Sequence, residues 1–260
     1  MKRMEERLRY LNALEATMKR RTSPPPDIVT WCKKLGIILD PWQVEVVRSK
    51  HPRISLCCSR RVGKSFVCAL LALHTALFTP RSQVLILSPT LLQSGEMLRV
   101  CRQVYVDSGV DEALIADSAS RMEFANHSRI ISLPGGSMAG TMRGMSGDVV
   151  LIDEASRVST EAFAAILPVM ANKPDARMIT LSTPFTYEGW YADIWRKEDT
   201  DQLWWRRKVP ATECPRISEE FLITQQKIMP PMLYKAEFEC EFINPSGVVF
   251  KQQDIEALFV

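Results

Sequence analysis

Cys58-Ser59-Arg60-Arg61-Val62-Gly63-Lys64-Ser65 lies between a short apolar run and a longer apolar run of helical character, and no other stretch restricts the fold as strongly. A strand that turns through such a segment into a helix presents backbone N–H groups at the helix N-terminus, where anions bind. Gly63 permits the turn, Lys64 supplies an ammonium for outer phosphates, and Ser65 supplies a hydroxyl for Mg²⁺. Ser59 to Ser65 are therefore candidate triphosphate-binding residues. The general pattern of such loops, G-x-x-x-x-G-K-[ST], fails at its first position, where Cys58 replaces glycine, and Arg60 and Arg61 fill the loop.

From about residue 31 short apolar runs alternate with helical stretches. Residues 54–58, 84–87, 130–133, 149–152 and 178–181 have strand length and strand composition, and 65–78 and 93–108 read as helices. This alternation predicts an α/β fold, with a mainly parallel central sheet flanked by helices on both faces. Ligands of such sheets gather at the carboxyl ends of the strands. The phosphate loop, Ser88-Pro89-Thr90, Asp153-Glu154 and Ser182-Thr183-Pro184 each follow a strand and are expected along one edge. After about residue 200 the alternation stops, which predicts a small second subdomain over 201–247. Ahead of the core, apolar residues recur at helical spacing across 2–20, and Pro24-Pro25-Pro26 follow. Residues 1–30 thus read as an amphipathic helix, docked on its own core or on a partner, and a stiff linker.

The 260 residues suffice for one large domain with an appendage. No uninterrupted apolar stretch approaches the roughly 20 residues that cross a bilayer, and the charged N-terminus has no signal-peptide pattern. Seven cysteines without a C-x-x-C pair read as reduced, buried thiols rather than a metal site. A net charge of +3 is too small for a dedicated nucleic-acid binder, so any DNA contact would be local. One basic segment, Arg196 to Lys208, interleaves Trp195, Trp204 and Trp205. It reads either as a DNA or subunit contact or as surface charge around a packed aromatic strand.

Val149 to Ile152 followed by Asp153 and Glu154 is an apolar strand ending in two acids. Asp153 is the candidate metal-side carboxylate and Glu154 the general base that orients water. Phosphoryl transfer spreads negative charge over the γ-phosphate oxygens, so cations that reach it late accelerate the reaction. Arg60, Arg61 and Arg143 are the candidates, Arg143 in a glycine-rich loop over 135–147. Gln43 is a plausible adenine reader, because an amide pairs bidentately with an adenine edge. Ser182, Thr183 and Pro184 either sense the γ-phosphate or form an ordinary turn.

These motifs together resemble the ATPase domain of the large terminase subunit of tailed bacteriophages. The resemblance rests on Gln43, the S-R-x-x-G-K-[ST] loop at Ser59 to Ser65, S-P-T at Ser88 to Thr90, S-L-P-G at Ser132 to Gly135, Arg143-Gly144, D-E-A at Asp153 to Ala155, and S-T-P at Ser182 to Pro184. It covers roughly residues 35–245 and implies a RecA/ASCE-type P-loop fold, with an ATPase core over 31–200 and a lid subdomain over 201–247. It also implies ATP and Mg²⁺ as cofactors. Arg60 would respond to nucleotide in cis, Arg143 would be a finger reaching a neighbouring subunit's ATP, and Ser182 to Pro184 would couple hydrolysis to movement.

The implied activity is translocation of double-stranded DNA into a procapsid in the cytoplasm of an infected bacterium. The implied partners are a portal protein, a small terminase subunit and further copies in a ring, pentameric by family analogy. Family members usually continue into a nuclease domain, whereas residues 248–260 here read as the start of a linker to it; no nuclease activity is expected from this chain. Two alternatives share these residues. A RecA-like helicase normally needs a second RecA-like domain, which about 60 residues after Leu181 do not supply. The presence of both Asp153 and Glu154 argues against the other, a nucleotide-binding assembly module that docks on a portal or small terminase subunit without turning over ATP.

Overall fold

The computed structural model describes residues 24–134, 144–200 and 202–243. The expected N-terminal helix over 2–20, Arg143 with most of its glycine-rich loop, and the 248–260 segment lie outside these residues. In chain order the described elements are α1 (Ile28–Lys34), α2 (Pro41–Arg48), β1 (Arg53–Cys58), α3 (Lys64–Phe78), β2 (Gln83–Ser88), α4 (Leu91–Ser108), β3 (Leu114–Ser118), β4 (Arg121–Phe124), β5 (Arg129–Pro134) and β6 (Val149–Asp153). There follow α5 (Thr160–Ile166), β7 (Arg177–Ser182), α6 (Trp190–Arg196), β8 (Trp205–Val209), α7 (Glu219–Ile228) and α8 (Pro231–Glu239). All five expected strands and both expected helices are present, each with boundaries shifted by one or two residues.

The strands form one sheet in the order β3-β4-β5-β2-β6-β7-β1-β8. The six strands from β5 to β8 run parallel, and only the β3–β4 hairpin and its junction with β5 are antiparallel. Strand side chains alternate between faces, and the apolar residues divide accordingly. Leu56, Ile86, Leu151 and Ile179 join one buried cluster with α3 and α4, while Leu85, Leu87, Val150, Ile152 and Met178 join a second with α5 and α6. Right-handed crossovers explain the split: α3 and α4 carry the chain one way along the sheet and α5 and α6 carry it the other way. Burial on both faces is why these strands read as continuous apolar runs.

Helix starts follow local chemistry. Thr90 of S-P-T is the N-cap of α4, its hydroxyl accepting from the Gln93 N–H at 3.3 Å while the Gln93 amide oxygen accepts from the Thr90 N–H. Ser159 and Ser218 cap α5 and α7 more simply, each hydroxyl accepting from the N–H three residues on, of Ala162 and Phe221.

The expectation that the alternation ends near residue 200 is corrected by β8, which pairs in parallel with β1 from Ile54↔Trp205 to Cys58↔Val209. The sheet thus extends to Val209, nine residues past the expected end of the core. An edge strand has one unpaired side, so Trp205-Arg206-Arg207-Lys208-Val209 carries charges and hides its periodicity. The β3–β4 hairpin was not expected either, because its strands are short and β3 is largely solvated. After β8, α7 and α8 enclose a small apolar cluster of Ala211, Leu222, Tyr234 and Phe238. Among the described residues no helix is long and apolar enough to cross a membrane.

His74 on α3 packs between Trp31 and Phe78, with ring centroids 5.5 and 4.8 Å away, and its Nε2–H donates to the Pro26 carbonyl at 2.9 Å. Burial pushes its pKa down from 6.5 to about 4. The folded state therefore holds this proton less tightly than the unfolded chain, so stability is full above about pH 6.5 and declines as the pH falls toward 4. Denaturant unfolding at pH 7 and pH 5 should show a loss of about 2 kcal/mol from this group, and His74→Gln should remove that part of the difference. An unchanged pH dependence in the variant would refute the assignment.

Candidate nucleotide site

The loop from Ser59 to Gly63 leaves the carboxyl end of β1 and enters α3 at Lys64. Its turn depends on Gly63, which has φ +92°. A Cβ there would lie 3.0 Å from the Gln43 amide nitrogen, so backbone conformation and close approach both demand glycine. Arg61 also takes a left-handed conformation, φ 60°. Such values in a non-glycine residue cost free energy and concentrate at functional sites.

Strand β7 separates β1 from β6, so the loop and the acids stand two strand spacings apart, about 10 Å. Their side chains close the gap. Ser65 Oγ donates to Asp153 Oδ2 at 2.9 Å, and Lys64 Nζ lies 3.4 Å from Glu154 Oε1. Asp153 is 6% exposed and Lys64 is also buried. Burial pushes the Asp153 carboxyl up, against the opposing pull of the Lys64 ammonium and the Ser65 hydroxyl. Glu154 holds φ 50°, a left-handed bend that turns the chain out of β6 directly after the buried acid.

Ser182 at the end of β7 accepts from the Ser156 N–H at 3.2 Å and shares a 2.8 Å hydroxyl–hydroxyl bond with Ser156. The S-T-P segment is thereby tied to the turn carrying the acids. Thr183 is buried beside it. After Pro184, the Phe185 ring carries the Arg157 guanidinium at 4.2 Å, and its carbonyl accepts from the Ile243 N–H at 2.9 Å.

Gln43 sits beside the loop but is 3% exposed. Its amide oxygen accepts from the Asp40 N–H at 2.9 Å, closing the capping box of α2, and its amide nitrogen approaches the Gly63 carbonyl at 3.5 Å. Each end of the amide retains one further bonding direction. Arg60 points toward the C-terminal helices, its Nε hydrogen-bonded to the Glu237 carboxylate on α8 while its N–H donates to the Glu237 carbonyl at 3.0 Å. Ser59 is held by an N–H bond to the Val209 carbonyl of β8, and Arg61 is exposed.

Two residues that sequence reasoning passed over complete the surroundings. Glu237 was hidden in a charged run, and Arg216 lies in a loop far along the chain. Arg216 forms a two-pronged ion pair with Asp40, at 2.8 and 2.7 Å, and donates to the Val62 carbonyl at 3.1 Å. The basic tryptophan segment, in contrast, is engaged internally. Trp204 is buried, Arg206 donates to the Ile194 carbonyl, and Arg207 pairs with Glu45 and Glu213. The packed aromatic strand is thus present, with Arg206 and Arg207 paired within the chain and Lys208 exposed.

Gly63→Ala is expected to destabilise the protein by about 1–2 kcal/mol. A second change, Gln43→Ala, should relieve the contact but leave the backbone cost. Chemical denaturation of the three proteins checks this, and a Gly63→Ala variant as stable as the parent would contradict it.

Known proteins resemble this chain in sequence and in fold. Residues 56–257 match the family model described as terminase large subunit, T4likevirus-type, N-terminal. The chain is 25% identical over 223 residues to the large terminase subunit of Escherichia phage T5, an alignment covering 83% of this chain and 50% of that protein. It thus spans about half the length of that curated relative. Among solved structures, the large terminase ATPase domain of Thermus phage P74-26 superposes with a TM-score of 0.70 at 19% identity, covering 85% of this chain and all of that one. The large terminase of a thermophilic bacteriophage in complex with ADP superposes with a TM-score of 0.68 at 12% identity, covering 79% of this chain and 54% of that one. These likenesses show a shared fold, that of the RecA/ASCE-like terminase ATPase domain. With the family model matching residues 56–257, most of its length, the chain belongs to the terminase large subunit family through its N-terminal domain.

Proposed function

We propose that this chain is an ATP-hydrolysing motor domain of a phage DNA-packaging terminase, coupling Mg-ATP hydrolysis to translocation of double-stranded DNA into a procapsid. The observation that carries this reading is the meeting of Lys64 and Ser65 with Glu154 and Asp153, at 3.4 and 2.9 Å, across an intervening strand. The loop's backbone N–H groups would receive the phosphates at the N-terminus of the 15-residue α3. Lys64 would exchange its contact with Glu154 for the outer phosphates, leaving that carboxylate free to accept a proton from water. Because Glu154 follows the buried Asp153 directly, the base would be held to a narrow range of positions.

The oxygen donors of Ser65 and Asp153 suit a small hard cation that also takes phosphate oxygens and water. When bound, Mg²⁺ would neutralise charge building up on the phosphates. Arg60 would lend a second cation from the same subunit, leaving Glu237 as it does so; this would carry the state of the loop to α8. The Ser182–Ser156 link supports a coupling role for Ser182, Thr183 and Pro184. Arg143 would act on a neighbouring copy's nucleotide, which implies a ring. Portal protein and small terminase subunit are the partners this function requires, and the procapsid in the infected cell's cytoplasm is its place of action.

ATP turnover, measured with and without long duplex DNA and with Lys64→Ala as the blank, is the direct test. Turnover above the blank and stimulated by DNA is expected, with Glu154→Gln lowering kcat about 100-fold or more. A chain no faster than the blank under assembling conditions would be a binding module instead. Mixing Arg143→Ala with Glu154→Gln should restore part of the lost turnover if the finger works across subunits.

A further inference from the structure

Asp40, Gln43 and Arg216 surround one side of the phosphate loop, and each comes from a different part of the chain or plays a different local role. Asp40 is the N-cap of α2, with its side chain 9% exposed. It holds the Arg216 guanidinium by both terminal nitrogens, one of which also donates to the Val62 carbonyl. A Cβ on Gly63 would come within 3.6 Å of that same nitrogen and 3.0 Å of the Gln43 amide. Arg216 and Gln43 thus converge on the shoulder of the loop where α3 begins.

Arg216 is nevertheless half open to solvent, its side chain 52% exposed. Its position is fixed in the plane of the guanidinium by three hydrogen bonds to Asp40 and Val62. An anchored guanidinium with partly open surroundings offers its flat, weakly hydrated face to a planar ligand. The phosphate end of the site lies elsewhere, with Lys64, Ser65 and Asp153, and the nitrogens of Arg216 that point inward are already occupied. With three of its five N–H donors engaged by Asp40 and Val62, Arg216 would meet a ligand group on this shoulder chiefly through its plane.

We infer that Arg216, held by Asp40 and the Val62 carbonyl, is a base-stacking residue that receives the purine ring of the bound nucleotide beside Gln43. This rests on the nucleotide reading above and adds to it the group that holds the base. Stacking is indifferent to the exocyclic groups of the purine, because every base has a π face. Arg216 would thus contribute affinity for ATP and GTP alike, leaving any choice between them to hydrogen-bonding groups such as Gln43. The ion pair with Asp40 would keep the guanidinium from following the phosphates, so its ordering is complete before the base arrives.

The test compares binding of ATP, GTP and inorganic tripolyphosphate to the parent protein, Arg216→Ala, Arg216→Lys and Lys64→Ala by titration calorimetry. Arg216→Ala should weaken ATP and GTP by about 10-fold each and leave tripolyphosphate nearly unchanged. Arg216→Lys keeps a positive charge beside Asp40 but loses the two-pronged pairing and the planar face, so it should show the same selective loss; it also guards against a folding defect from an uncompensated Asp40 in the alanine variant. Equal weakening of tripolyphosphate would make Arg216 a phosphate or loop-shaping residue and overturn the inference. Unchanged ATP affinity in both variants would overturn it as well. If the parent bound none of the three ligands, the nucleotide reading itself would fall, an outcome distinct from a stacking failure because Lys64→Ala would then change nothing.

Discussion

Two short contacts across β7, Ser65 with Asp153 and Lys64 with Glu154, set the conditions that the rest of the domain has to meet. Both join residues about ninety positions apart in the chain; one gives a buried carboxylate a hydroxyl donor and the other pairs a buried ammonium with a half-buried carboxylate. Removing charged groups from water is costly unless they find partners with good geometry. Here burial raises the Asp153 carboxyl, and the Lys64 ammonium works against that shift. A site of this kind persists only on a rigid support, which the doubly covered parallel sheet provides. Cys58 and Asp153 are the last residues of β1 and β6, so the register of three adjacent strands decides the separation of the loop from the acids.

The loop is braced from outside the core as well. On one flank Arg60 reaches Glu237 on α8; on the other, Arg216 joins Asp40 and the Val62 carbonyl. Both links connect the loop to chain that follows β8. A change in the loop would therefore be felt by the C-terminal helices without a long relay, because the contacts are direct. The small apolar cluster under α7 and α8 adjoins one of the two sheet clusters through the partly buried Ile217, a narrower apolar attachment to the core than that of α3 or α4.

Much of this was legible in order along the chain. The central strands were readable because burial on both faces makes them continuous apolar runs, and the motifs were readable because each follows a strand end. Less legible were elements whose burial is one-sided or slight. β8 is an edge strand with Arg206, Arg207 and Lys208, so it looked like a basic patch until its pairing with β1 showed it to be part of the sheet and Arg207 was found paired with Glu45 and Glu213. The β3–β4 hairpin is too short to carry a clear alternation. Gln43 was identified by residue type, but its burial and its capping bond to Asp40 depend on how α2 packs against the loop.

The sequence by itself determined the parts of the site and their family: a loop with Gly63, Lys64 and Ser65, a strand ending in Asp153 and Glu154, and the S-P-T and S-T-P segments, all of them local patterns tied to backbone geometry and chemistry. Only the tertiary structure decided which partners those parts keep. That β7 stands between the loop and the acids, that Arg60 pairs with Glu237, and that Arg216 lies beside Gln43 are consequences of strand order and helix packing. Contacts between residues separated by ninety to nearly one hundred and eighty positions leave no periodicity in the chain; they exist because burying both faces of one sheet leaves few ways to arrange it.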